Sequence, residues 1–160
     1  MPEGVSDADV ALAERLTDLA REALTSQRHE AFSIKEDVSP VTAVNRAVEA
    51  AMRAEIARSA PTHGLIGEEY GAENEECNWV WILDPIDGTR QFAEGLPNFG
   101  MPIALCHRQV PALGVIAHPW MAMTCIVIQG REQASTAGPF APVTCNARTR
   151  YRLPIRSRRF

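Results

Sequence analysis

Three carboxylates in one stretch of the chain are the residues best suited to chemistry. Glu68 follows a short apolar segment, and Asp84 and Asp87 follow another, the segment 79–83. Carboxylate and carbonyl oxygens are hard ligands that suit Mg²⁺ or Mn²⁺. Because ligand crevices form where strand ends line up at one edge of a sheet, we expect the three side chains to meet there.

The turn after segment 79–83 adds a second chemical element. Pro85 restricts the backbone between the two aspartates, so both carboxylates and the Ile86 carbonyl can point at one place. Gly88 and Thr89 follow at the start of a predicted helix, where backbone N–H groups bind anions. Asp-Pro, Asp-Gly and Glu-Glu pairs each have a simpler interpretation as turn or loop residues. Their combination behind a predicted buried strand favours a metal and a phosphate held side by side.

The elements that must position these residues show clear helix and strand patterns. Two amphipathic helices are predicted, one beginning at Ser6 or Asp7 and ending near Ser26, the other over 41–60. The second has an apolar stripe of Val44, Val48, Ala51, Met52 and Ile56.

Short apolar segments predict strands over 31–34, 65–71, 79–83, 99–106, 112–117 and 124–128, separated by an acidic loop at 72–78 and helical turns at 90–94. The strand 79–83 is predicted to be buried on both faces. Short gaps between the last three strands predict hairpins. Pro102 predicts that its strand is an edge strand or carries a bulge there.

Composition bounds the class of protein. The chain has 160 residues, 46% hydrophobic and 22% charged, with formal net charge -4, which is typical of one folded domain. No apolar run approaches the roughly 20 residues of a membrane-spanning helix. The acidic start lacks the positive region of a signal peptide, and the four cysteines form no C-x-x-C pair. We therefore expect a cytoplasmic protein with reduced thiols.

Two segments resemble a known family. The residues GEE at 67–69 and WILDPIDGT at 81–89 look like the signature of the inositol monophosphatase family of Mg²⁺-dependent phosphatases. The segments KEDVSPVT at 35–42 and GLPNFG at 95–100 also fit its pattern, and HGLIGEEYG at 63–71 is similar to the bacterial histidinol-phosphatase-like branch. The resemblance implies an α+β fold, the N-terminal part of a layered α/β sandwich with helices packed on a mostly antiparallel sheet.

The resemblance also implies a role for each site residue. Glu68, Asp84 and the Ile86 carbonyl would hold the Mg²⁺ that activates the attacking water, and Asp84 and Asp87 would hold a second. The family uses two or three such ions. The residues implied in phosphate binding are Ile86, Asp87, Gly88 and Thr89. Thr89 would also orient the water for in-line attack on phosphorus, with no protein nucleophile.

This sequence departs from the family pattern in two places. Asn45, ten residues after Lys35, stands where the family carries an aspartate that accepts a hydrogen bond from the threonine hydroxyl. Asparagine keeps the shape without the basicity, so we predict weakened proton transfer at the Thr89–Asn45 pair. The family's late Trp-Asp motif has no counterpart, because no aspartate follows Asp87 and no tryptophan follows Trp120. The second metal is therefore expected to bind more weakly.

The sequence divides into two parts. Residues 1–147 are predicted to form the metal- and phosphate-binding domain, and residues 148–160 a disordered tail in which six of thirteen residues are arginine. Our hypothesis is that this tail is a truncated or out-of-frame gene end. Nucleic-acid binding through it is the disfavoured alternative.

The function predicted from these observations is Mg²⁺-dependent hydrolysis of a small phosphomonoester, with conversion of histidinol phosphate to histidinol in histidine biosynthesis as the first choice. Inositol phosphate or another small sugar or nucleotide phosphate is the alternative substrate. An inactive remnant of such an enzyme is the alternative from another class. The expected partner is a small phosphorylated substrate, without membrane or nucleic acid, and the family implies a homodimer.

Overall fold

A computed structural model of the protein describes residues 4–26, 40–130 and 135–137. The helices are α1 (Asp7–Ser26), α2 (Pro40–Ser59) and α3 (Thr89–Ala93), with a short 3-10 helix at Pro119–Met121. The strands are β1 (Gly64–Gly67), β2 (Gly71–Glu73), β3 (Trp79–Leu83), β4 (Met101–His107), β5 (Val110–His118), β6 (Met123–Ile128) and β7 (Ser135–Ala137). Within these ranges, no helix is both long and apolar enough to cross a lipid bilayer.

The described strands form one sheet in the order β2-β1-β3-β4-β5-β6-β7. Only β1 and β3 run parallel to each other, and every other neighbouring pair is antiparallel. Helix α1 packs on α2 and reaches β5. This arrangement confirms the predicted α+β fold with helices on a mostly antiparallel sheet, and it confirms the hairpins among β4, β5 and β6.

The core lies between the helix pair and one face of the sheet. Alternate strand residues such as Trp81, Leu83 and Ile103 belong to the same buried apolar cluster as Leu16 and Met52 of the helices. Each large apolar side chain buried in this way stabilises the fold by roughly 1.5–3 kcal/mol. The sheet is therefore held by one apolar layer, on its helix side.

Helix α1 has the predicted bounds, and its first turn shows why. The Ser6 hydroxyl oxygen accepts a hydrogen bond from the Asp9 N–H at 3.2 Å, and the Asp9 carboxylate accepts one from the Ser6 N–H at 2.9 Å. This reciprocal pair satisfies backbone donors that a helix start leaves free.

Helix α2 has the predicted extent, and its buried face includes polar residues that the sequence did not predict. Val48, Met52 and Ile56 are buried as predicted, whereas Ala51 is exposed. Two polar residues, Asn45 and Glu49, are buried instead. The predicted stripe is therefore confirmed at Val48, Met52 and Ile56 and wrong at Ala51.

The segment after β1 also differs from the prediction. The chain turns at residues 68–70 and returns as β2, antiparallel to β1, where the sequence predicted a continued strand and then a loop. Gly71 allows this reversal because its φ of 73° lies in the left-handed region that glycine adopts without a Cβ penalty. Strand β7 was not predicted, and the predicted strand 31–34 and tail 148–160 lie outside the described residues.

Two expectations about individual strands are wrong. Ile82 of β3 is 39% exposed, so β3 is not buried on both faces. Pro102 lies in β4, which pairs with both β3 and β5, and the irregularity of that strand falls at Leu105/Cys106. The Pro102 carbonyl accepts the Asp84 N–H at 3.2 Å. This bond lies beyond the last paired residues of β3 and β4, Leu83 and Ile103, so the N–H that proline lacks is not needed for the pairing of these strands.

Candidate metal and phosphate site

The parallel pair β1–β3 brings the first two carboxylates together. Gly67, the last residue of β1, is in register with Leu83, the last residue of β3. Glu68 and Asp84 therefore leave neighbouring strands at the same edge of the sheet. This is the juxtaposition that the sequence predicted from aligned strand ends.

The turn that follows Asp84 is fixed at three points. The Asp84 N–H donates to the Pro102 carbonyl, and Asp87 and Gly100 exchange two backbone hydrogen bonds of 2.9 and 2.8 Å. The side chain of Ile86 is only 1% exposed and packs in the core. The turn is thus anchored to β4 and to the core. The Asp87 side chain, in contrast, is exposed.

Gly88 links this turn to α3 in a conformation that suits glycine. Its φ is 95°, and an added Cβ would lie 3.2 Å from the Gln91 Oε1 and 3.3 Å from the Phe99 Cβ. The helix then begins at Thr89, and the Gly88 carbonyl accepts the Phe92 N–H at 3.1 Å. The predicted helix start after Gly88 is confirmed.

Asp84 lies in an environment that disfavours its negative charge. Burial raises the pKa of Asp84 from 3.8 to about 7, and the charge of Glu68, a hydrogen bond with Glu68 and the charge of Asp87 add to the rise. The Ile86 N–H, which donates to the Asp84 carboxylate, lowers this pKa in part. The Asp84 Oδ1 is buried and has no hydrogen-bond partner. Negative charge at this edge is therefore incompletely compensated by the protein.

This donor set fits a divalent cation. Glu68 and Asp84 follow adjacent strand ends, Glu68 and Asp87 both raise the pKa of Asp84, and one Asp84 oxygen has no partner within the protein. In the part of the chain that the structure describes, no three histidine, cysteine or acidic side chains form a ready-made metal cluster. The fit therefore rests on the Glu68–Asp84 pair and the unsatisfied oxygen.

Asn45 and Thr89 are not hydrogen-bonded to each other. Asn45 is 3% exposed, and its Oδ1 is buried without a hydrogen-bond partner. The Thr89 hydroxyl donates instead to the Ile86 carbonyl, at 3.4 Å. The predicted pairing of these two side chains is not formed in this structure, and their catalytic role stays a prediction.

Sequence reasoning missed a residue beside the site. Glu49 has no exposed surface, and its carboxylate accepts the backbone N–H groups of Glu69 and Tyr70, the two residues after Glu68. The signal that could have found it is the spacing of Asn45, Glu49, Met52 and Ile56, which lie on one side of a helix of 3.6 residues per turn.

Comparison with known proteins decides the family. The model of the inositol monophosphatase family matches residues 1–155. The chain belongs to the inositol monophosphatase family. Among relatives, the Mycobacterium tuberculosis protein named histidinol-phosphatase is 38% identical over 143 residues, and the Arabidopsis thaliana protein named bifunctional phosphatase IMPL2, chloroplastic, is 37% identical over 139 residues. An inositol monophosphatase from Zymomonas mobilis has a similar structure, with a TM-score of 0.70 and 33% identity.

The match covers most of this chain and about half of each relative. It spans 87% of this chain and 52% of the Mycobacterium protein, and 82% of this chain and 40% of the Arabidopsis protein. For the Zymomonas structure the shares are 85% and 53%. This member of the inositol monophosphatase family therefore corresponds to about half the length of the relatives that it matches.

Proposed function

We propose that the chain acts in Mg²⁺-dependent hydrolysis of a small phosphomonoester. The observation that carries this proposal is the placement of Glu68 and Asp84 at adjacent parallel strand ends, where one buried Asp84 oxygen has no hydrogen-bond partner. Family membership supports the same reaction class.

Each side chain at this edge has a proposed task. Mg²⁺ would be held by Glu68, Asp84, Asp87 and the Ile86 carbonyl. A bound Mg²⁺ polarises a phosphoryl oxygen and lowers the pKa of a water molecule bound to it. Backbone N–H groups at Gly88 and Thr89 would bind phosphoryl oxygens, because the left-handed Gly88 leaves no side chain in their way.

The Thr89 hydroxyl would orient the attacking water. It reaches the Ile86 carbonyl and so already lies beside the proposed ligands. Asn45, buried with a free acceptor oxygen, would take a hydrogen bond from Thr89 only after that hydroxyl turns away from Ile86. An amide is a poor proton acceptor, so we expect this position to support catalysis weakly.

Histidinol phosphate is the first proposed substrate. Its support is the similarity to proteins named histidinol-phosphatase from Mycobacterium tuberculosis, Chlorobaculum parvum and Streptomyces coelicolor, at 38%, 39% and 32% identity. Inositol phosphate is the second candidate, and the Zymomonas inositol monophosphatase structure favours it.

The activity test compares these substrates directly. Phosphate release from histidinol phosphate and from inositol phosphate is measured with the purified 160-residue chain while Mg²⁺ is varied. We expect Mg²⁺-dependent release that is faster with histidinol phosphate and is lost in Asp84→Asn. Glu75→Gln, which removes an exposed acid outside the site, is the matched control and should be unchanged. No release at any Mg²⁺ concentration would favour an inactive remnant.

A binding test is independent of turnover. A ligand that binds only the folded state raises the melting temperature. We expect Mg²⁺ to stabilise the wild-type chain and Glu75→Gln equally, and Asp84→Asn much less. Equal stabilisation of all three would place the ion elsewhere and contradict the proposed site.

The division of the chain is proposed as well. We infer that residues 148–160 take no part in the metal- and phosphate-binding domain formed by residues 1–147. A chain ending at residue 147 should therefore bind Mg²⁺ as the full chain does, and weaker binding would refute this division. Salt-sensitive RNA binding that disappears with the tail would instead support the nucleic-acid alternative.

The proposed partners are a small phosphorylated substrate and, as the family implies, a second copy of the chain. Light scattering of the purified chain tests the homodimer, and a monomer at all concentrations would contradict it.

A further inference from the structure

Glu49 is a buried carboxylate that bonds the turn carrying Glu68. It lies in the middle of α2 with 0% exposed surface. Its oxygens accept the Arg53 Nε at 2.8 Å, the Glu69 N–H at 2.8 Å and the Tyr70 N–H at 3.2 Å. Two of these three donors belong to the turn that carries Glu68. An unpaired buried carboxylate is costly, so the turn and Glu49 hold each other in place.

Gly67 shows how closely Glu49 approaches the backbone of this turn. A Cβ added at Gly67 would lie 2.0 Å from the Glu49 Oε1 and 2.3 Å from its Cδ. The carboxylate therefore fills the space where any other residue would place its side chain. Glu68 is held on both sides, by the contact at residue 67 and by the hydrogen bond at residue 69.

Arg53 fixes the far end of the same turn, at Gly71. Its guanidinium donates to the Gly71 carbonyl and forms an ion pair with Glu73 at 3.5 Å. It also lies over the ring of Tyr70, with its Cζ 5.6 Å from the ring centroid. We call Glu49 and Arg53, with their bonds to residues 69–71, the turn clamp. One face of α2 thus fixes the path of the chain from the end of β1 to the start of β2.

The turn clamp acts on the metal site through Glu68. Glu68 and Asp84 directly follow the register pair Gly67–Leu83 at neighbouring strand ends, and two carboxylates placed there repel when both are charged. Glu68 is itself exposed and starts a turn, so without an anchor it could move away from Asp84. The bonds of Glu49 to the next two residues oppose that movement.

We propose that Glu49 is a positioning residue that holds Glu68 beside Asp84 for a divalent cation. This inference rests on the proposed function, since it takes the Glu68–Asp84 pair as the metal site. Glu49 acts through the backbone of the turn and itself contacts no metal. It contributes by lowering the cost of bringing Glu68 into place when the ion binds.

The test is the affinity of the full chain for Mn²⁺, measured by titration calorimetry. Glu49→Gln keeps the shape of the side chain but puts an NH₂ group where one carboxylate oxygen accepts hydrogen bonds. We expect its Mn²⁺ dissociation constant to rise by about tenfold or more. Hydrogen exchange at the Glu69 and Tyr70 amides should become faster. Glu55→Gln is the matched control, because Glu55 is also an ion-paired glutamate of α2 but bonds Arg58 and Ser59, away from the turn. Its Mn²⁺ affinity should equal that of the wild type.

Arg53→Lys provides a second variant should Glu49→Gln fail to fold. It keeps a positive charge near Glu49 and loses the fork that also bonds the Gly71 carbonyl. We expect weaker Mn²⁺ binding at a melting temperature close to that of the wild type. Wild-type Mn²⁺ affinity in whichever of the two variants folds would overturn the proposal and leave Glu49 a purely structural residue.

Failure of the proposed function gives a different pattern. In that case the wild-type chain and Asp84→Asn bind Mn²⁺ equally or not at all. If Asp84→Asn alone loses affinity while Glu49→Gln retains it, the metal site stands and only the role of Glu49 is wrong.

Discussion

At the scale of single residues, the site is distinguished by buried polar side chains. Asn45 and Glu49 are buried, and Asn45 and Asp84 each hold a buried oxygen without a hydrogen-bond partner. Burying such a group costs free energy that a fold selected for stability alone would avoid. These positions are therefore where substitution should change function more than packing.

Asn45→Asp tests whether the missing carboxylate matters. A carboxylate accepts a proton far better than an amide, so we expect the variant to raise kcat for the phosphomonoester by roughly tenfold or more, with KM little changed. The gain should vanish in the double variant Asn45→Asp with Thr89→Val, because valine cannot pass on a proton. Unchanged kcat in Asn45→Asp would show that position 45 plays no part in proton transfer.

His63 gives the fold a pH dependence at the opposite end of β1 and β3. Its Nδ1 accepts the indole N–H of Trp81 at 3.2 Å, a bond that requires this nitrogen to be unprotonated. Burial lowers the pKa of His63 below its ordinary value of 6.5, and the Asp9 charge offsets this in part. The unfolded chain therefore takes up the proton more readily than the folded chain.

Stability is consequently full above a pH of about 6.5 and falls as the pH drops toward the lowered pKa of folded His63. We expect the free energy of unfolding, measured in urea, to be lower at about pH 5.5 than at about pH 7.5. In His63→Asn the side-chain oxygen still accepts the Trp81 N–H without titrating, so this difference should shrink. An equal pH dependence in both proteins would contradict the assignment to His63.

At the scale of elements, the parallel pair β1–β3 is the arrangement on which the site depends. Its register places Gly67 beside Leu83, and both site carboxylates follow directly. Strand β1 also pairs with β2, and the hairpin approaches very closely at Gly64. A Cβ there would lie 2.0 Å from the backbone oxygen of Asn74.

Gly64→Ala should therefore separate β1 from the segment after β2. Backbone must move to admit the methyl group, and we expect a loss of about 2 kcal/mol or more in the free energy of unfolding. Gly114→Ala is the matched control, because Gly114 also lies in a strand and an added Cβ would meet nothing within 4 Å. Chemical denaturation of both variants measures the difference, and a similar small effect for the two would refute the close approach at Gly64.

At the scale of the whole molecule, both faces of the sheet carry apolar side chains, and the helices that the structure describes cover one of them. Ile82, Ala104, Gly114 and Val127 follow one another across four strands on the face away from α1 and α2. Ile82 is 39% exposed, Ile116 57% and Val127 37%. Exposed apolar area of this kind promotes association in solution.

Polar substitution on this face should improve the behaviour of the chain. We expect Ile116→Thr combined with Val127→Thr to bind less of a hydrophobic dye and to stay soluble at higher concentration, since threonine retains the strand preference. The same change at buried Val115 and Ile126 on the helix side should instead destabilise the fold. Unchanged dye binding in the first variant would show that this face is not accessible.

Local patterns in the sequence were sufficient to predict α1, the strand β3, the hairpins of β4 to β6 and the carboxylates at the strand ends. Helix caps, two-residue alternation and turn residues act between near neighbours, so they can be recognised in a single chain. For the same reason the motif around Asp84 was sufficient to indicate the family.

Tertiary structure decided the features that depend on distant partners. Glu49 of α2 is buried because the backbone N–H groups of residues 69 and 70 meet its carboxylate, whereas the apolar Ala51, on the opposite side of the helix, is exposed. Pro102 is tolerated within a central strand because β3 ends beside it. Ile82 is exposed because helices lie on the other face of the sheet. The sequence by itself determined which groups could do the chemistry, since their types and local turns are encoded in adjacent residues. Only the folded chain determined which of them touch, because contacts across 20 or so positions depend on the whole sheet and its helices coming together.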